Sequence, residues 1–71
     1  MNKEELFKKI SYYFEKALPV HVLKQQGQFA NGYIKEVSAD FFILNDFKIG
    51  DMPIFHSEIV DIVPYRERSE T

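Results

Sequence analysis

Apolar residues recur at helical spacing near the start of the chain: Leu6, Ile10, Tyr13, Phe14 and Ala17 fall on one face. Asn2 stands where a helix takes its N-cap, and Glu5, three positions on, occupies the place a capping box reserves for an acid. Glu4 and Glu5 also face the positive end of the helix dipole. Pro19 disfavours helical geometry in the residue before it, so the spacing predicts a helix over residues 3–17. An apolar stripe on such a helix is expected to cover one open end of a β-domain.

After Pro19 the period falls to two. Val20 and Val22 alternate with His21, the pattern of a strand. Gln26-Gly27 supplies a tight turn, because glycine tolerates the positive φ that hairpins require. Phe29, Ile34 and Val37 follow in a second strand, with Gly32 inside it, where glycine marks a sharp bend or a close backbone approach. Ser38-Ala39-Asp40 reads as a turn, and the unbroken run Phe41–Leu44 suits a strand covered on both sides. Asn45-Asp46 and Lys48–Asp51 carry turn chemistry. Met52–His56 and Ile59–Val63 make strands four and five, and Pro64 ends the pairing. The expected class is mainly β: an N-terminal α-helix followed by a strongly bent, five-stranded antiparallel small barrel.

With 71 residues the chain has room for one domain: a helix, a barrel over 20–64 and a polar tail over 65–71. A chain this short buries only about 60% of the surface its unfolded form exposes, so its core needs reinforcement. Cysteine is absent, which excludes disulfides and thiolate metal sites. Two histidines without a carboxylate cluster predict no metal site. Self-association remains as the expected reinforcement, in line with an aromatic share of 15%. The net charge of −2 gives no general attraction for phosphate, so any nucleic-acid contact would rest on local patches. No apolar stretch has the length of a membrane span, and the charged start Met1–Glu5 has no apolar run behind it; the expected address is cytoplasmic.

The two glycines carry a resemblance. Gly27 and Gly32, followed by Tyr33-Ile34-Lys35-Glu36-Val37, are similar to the first motif of the Sm-like superfamily. There a turn glycine precedes a strand, a second glycine bends it, and an apolar pair, here Ile34 and Val37, packs the barrel. Phe55-His56-Ser57-Glu58-Ile59 and the run Val60–Pro64 resemble the second motif as the Hfq branch of RNA chaperones writes it. The N-terminal helix, the Leu18-Pro19-Val20 entry and Pro64 match that branch too, so the likeness extends over residues 3–66. It implies a homo-oligomeric ring of six or seven copies, in which the fourth strand of one subunit pairs with the fifth of the next. It also implies single-stranded RNA as a partner, bound at two loops lining the pore.

Those loops fall on Ser38, Ala39 and Asp40, and on His56 and Ser57. Both depart from the family pattern. Asp40 stands where an aromatic normally stacks on a base, an interaction worth roughly 1–3 kcal/mol, and its charge repels phosphate. The family's Lys-His pair corresponds to His56-Ser57 when Pro64 anchors the register, while a shift of one residue places His56 on the family histidine. In either register the basic charge is missing and Glu58 stands alongside. Lys8, Lys9 and Lys16 fall off the apolar stripe of the helix and, repeated around a ring, would form a positive collar, countered by Glu4, Glu5 and Glu15. Arg66 and Arg68 in the tail are a looser basic pair. The alternative to RNA binding is an oligomeric protein-interaction scaffold of the same fold.

Catalysis is not expected. None of the three glycines opens a phosphate loop, Ser57 is merely adjacent to His56 with no third group to orient them, and Asp46 with Asp51 reads as ordinary loop chemistry. No cofactor is implied.

Overall fold

The computed structural model describes residues 2–66; Arg68, named above as half of a basic pair, lies outside them. Helix α1 spans Lys3–Glu15. The Asn2 side chain accepts the N–H of Glu5 at 2.7 Å, the N-cap its position predicts. The helix ends two residues earlier than its periodicity suggests. Ala17 turns left-handed (φ +55°), and its N–H bonds the Phe14 carbonyl while that of Leu18 bonds Tyr13. That is a Schellman closure built without glycine. Of the predicted stripe only Leu6, Ile10 and Tyr13 are buried, while Phe14 and Ala17 beyond them are exposed.

Five antiparallel strands follow: β1 (Pro19–Lys24), β2 (Phe29–Val37), β3 (Phe41–Asp46), β4 (Gly50–Phe55) and β5 (Ile59–Pro64). Single 3₁₀ turns at Gln25–Gly27 and His56–Glu58 lead into β2 and β5. The first forms the expected tight turn between the antiparallel β1 and β2, with Gln26 as well as Gly27 at positive φ (69° and 76°). Asn45 and Asp46 complete β3 rather than forming a turn, and β4 starts at Gly50 and stops before His56.

The strand order is β4-β3-β2-β1-β5, so the hydrogen-bonded ring is open and β4 and β5 are its two edges. Curvature enters at two bulges, where Lys35 on β2 and Val60 on β5 are the unpaired extra residues. Gly32 is the third device. Paired with Val20 on one side and Asp46 on the other, it lies so close to β3 that an added Cβ would overlap the Asn45 carbonyl and sit 2.9 Å from Asp46 Cα.

The inner face of the sheet carries Val20, Val22, Ala30, Ile34, Phe42, Leu44, Ile54 and Ile62, all buried, and α1 closes it by packing on β2 and β5. Phe41 and Ile43 are only half-buried, so β3 is covered on one face and alternates, contrary to the two-sided cover its apolar run suggested. No helix among the described residues is long and apolar enough to cross a membrane.

Candidate functional site

Two turns meet beside the first half of α1. In the β2–β3 turn the Ser38 N–H donates to the Phe41 carbonyl at 2.8 Å, leaving Ala39 and Asp40 at the exposed tip. In the turn before β5, Glu58 reaches back to accept the Phe55 N–H at 3.2 Å, which fixes the path of His56 and Ser57. The backbone N–H of His56 then donates to the Asp40 carbonyl at 2.9 Å. This bond brings together the two segments that the resemblance singles out. Leu6 and Phe7 from α1 stand against them and leave a groove of about 830 Å³.

Apolar walls come from Leu6, Phe7, Phe55 and Ile59. Phe55 is half exposed and leans on Phe41, with ring centroids 5.5 Å apart. Charge at the rim is balanced, Lys3 and Lys8 against Glu4 and Asp40. Of the expected collar only Lys8 reaches the groove. Lys9 pairs with Asp61 of β5 at 3.6 Å, and Lys16 lies 5.9 Å over the Tyr12 ring at the far end of the helix. Glu58 is partly offset by Lys24 at 3.9 Å.

His56 is the least ordinary group in the site. Its ring lies between Phe7, met edge-on, and Phe42, tilted, each with centroids 6.1 Å away. Nε2 is buried without a hydrogen-bond partner among the described residues. Burial holds the imidazole below its ordinary pKa of 6.5, and the nearby Asp40 charge pulls weakly the other way. A neutral ring at neutral pH follows, so this position adds no positive charge to the groove.

Gly27 and Gly32 position the site indirectly, through the approach to β2 and its close passage over β3, and Pro64 closes the last pair of β5, with Val20. The groove's apolar walls were missed in the sequence. Phe7 carried a usable signal, since it is apolar yet stands off the Leu6–Ile10–Tyr13 stripe. No protein-family model matches the chain, and no curated protein matches it.

Proposed function

We propose that the chain is a subunit of an Sm-like homo-oligomeric ring of six or seven copies that takes single-stranded RNA at the groove between its two turns and α1. The supporting observation is the open sheet, whose two unpaired edges, β4 and β5, stand at opposite ends of the strand order. Unpaired edges invite association unless covered. Here Val60 and Val63 are exposed on one edge, while Phe55 on the other and Ile49 just before it are exposed too. An antiparallel β4–β5 contact between copies is head-to-tail, and a head-to-tail contact satisfies every edge once it closes. Pro53 sits in β4, as a proline can in an edge strand, and leaves one gap in the donors along that edge. Such a gap restricts pairing to a partner whose register tolerates it.

For RNA, the groove offers exposed Phe55 and Phe7 as stacking platforms, with Lys3 and Lys8 at the rim. A second reading, a protein-interaction ring without RNA, is favoured by the carboxylate of Asp40 at the rim and by the neutral state of His56. Light scattering decides the ring: a mass of six or seven protomers supports it, and a monomer excludes it. Fluorescence anisotropy with short U-rich and A-rich RNAs decides the ligand. Binding that weakens steeply with salt supports RNA. Its absence at low salt leaves the scaffold reading, and Asp40→Tyr with Glu58→Gln, which keeps an acceptor for the Phe55 N–H, is then the test of whether two charges alone account for the loss.

A further inference from the structure

The groove is walled on one side by a helix held partly through a titratable ring. We propose that His56 is a proton-operated latch: neutral, it seats the first turns of α1 on the sheet, and protonated, it releases Phe7 and widens the groove. This deepens the binding reading above, on which its functional consequence rests, while the latch itself is a property of the single chain.

The geometry carries it. His56 opens a 3₁₀ turn and is tied through its backbone to the Asp40 carbonyl, so the ring cannot leave by moving the main chain without breaking that bond. The ring fills the space between Phe42, a fully buried side chain of β3, and Phe7, which is half exposed on α1. A protonated imidazole must give both ring nitrogens a partner. Nε2 has none among the described residues, and an imidazolium held against phenyl rings with a buried, unpartnered nitrogen is costly. Phe42 belongs to the core and cannot yield. Phe7 is the side that can.

The charged groups around the ring do not supply the missing partner. From α1 these are Lys3, Glu4 and Lys8, which line the groove. From the β2–β3 turn it is Asp40, whose side chain favours the charged ring but makes no hydrogen bond to it. On its own turn Glu58 is engaged by the Phe55 N–H and Lys24 of β1. On β5 Asp61 is occupied by Lys9. A histidine in this setting stays neutral at neutral pH and charges on mild acidification.

Amide hydrogen exchange on the full chain, followed by NMR, tests the latch. Between about pH 7.5 and about pH 5, protection factors of Leu6 to Ile10 should fall about tenfold, clearly more than those of Phe42 and Leu44, which follow the global stability. His56→Phe retains an aromatic ring without a proton site and should flatten the dependence to less than about twofold. The His56 ring resonance should titrate below 6.5. Asp40→Asn should move that midpoint lower still, because it removes the charge that favours the imidazolium. A midpoint at or above 6.5 overturns the latch. Equal loss of protection in His56→Phe, or a loss at Phe42 and Leu44 as large as that at Leu6 to Ile10, overturns it as well. If His56→Phe does not fold, the wild-type titration and Asp40→Asn still decide. Because neither RNA nor assembly enters these measurements, their outcome stands apart from that of the ring and RNA tests.

Discussion

The carbonyl of Asp40 accepts the backbone N–H of His56 at 2.9 Å, and this bond clasps the turn before β3 to the turn before β5. The clasp uses main-chain atoms only, so the Asp40 side chain is free to change without loosening it. Asp40→Tyr should therefore shift the denaturation midpoint by no more than about 0.5 kcal/mol equivalent, the usual range for an exposed position. Urea unfolding checks this. A much larger loss would mean that the aspartate carboxylate, not the backbone, organises the turn, and RNA rescue by that variant could no longer be read simply.

Gly32→Ala should be the most damaging single-methyl change in the sheet. The added carbon would lie 2.8 Å from the Asn45 carbonyl carbon and 2.9 Å from Asp46 Cα, both backbone atoms that move only with β3. Overpacking of this kind costs about 1–3 kcal/mol or more, so the variant should unfold at clearly lower denaturant or fail to accumulate. Unfolding within error of the wild type would show that β2 and β3 can separate freely at this point.

Ala17→Gly should stabilise the protein. Ala17 holds a left-handed conformation at the end of α1, where its Cβ is strained and glycine is not. The gain expected is about 0.5–1 kcal/mol after allowing for the greater freedom of glycine in the unfolded chain. Thermal unfolding measures it, and a loss of stability would place Ala17 elsewhere than in a Schellman closure.

Those three sites mark what the chain's pattern could and could not tell. Gly32 was legible because a glycine inside an alternating strand has few reasons to be there, and close approach is one. The premature end of α1 was not, since an alanine carries no signal of a left-handed residue and the closure depends on hydrogen bonds to Tyr13 and Phe14. The two turns of the groove were legible as loops, and their resemblance to a known pair of motifs joined them. The walls were not legible, because Phe7 and Phe55 meet across a gap that only the packing of α1 creates. Lys9 and Lys16 were grouped with Lys8 by their position off the stripe, yet a salt bridge to β5 and a different end of the helix separate them from it.

Acid should destabilise the fold in two stages. His56 has a depressed pKa, so the unfolded state binds its proton more readily and stability falls as pH drops below the ordinary 6.5 towards the lower folded value. Asp46 follows at lower pH. The Lys48 amide first, then those of Ile49 and Asn31, hold its carboxyl below the usual 3.8 against the opposing effect of burial. Its contribution is complete above that value and is lost as pH falls through the lower folded pKa. Denaturant midpoints across the acid range should show both stages. Asp46→Ala should remove the second and cost about 1–2 kcal/mol near neutral pH, where three amides lose their acceptor.

If the proposed ring forms, Val60→Lys should break it while sparing the protomer. Val60 is half exposed on the β5 edge, and as the extra residue of a bulge it makes no ladder pair with β1, so its side chain stabilises the single chain little. In an assembly closed through β4 and β5, a lysine there would be buried against the apolar edge of a neighbour that carries Phe55, and an unpaired buried charge is strongly disfavoured. Lysine on an edge strand is also a common guard against pairing. Light scattering on the variant should then report one protomer, with a far-UV circular dichroism spectrum unchanged from the wild type. Retention of a wild-type mass above one protomer would mean that copies meet through another surface, and the exposed α1 aromatics Tyr12 and Phe14, on different faces of the helix, would be the next to substitute.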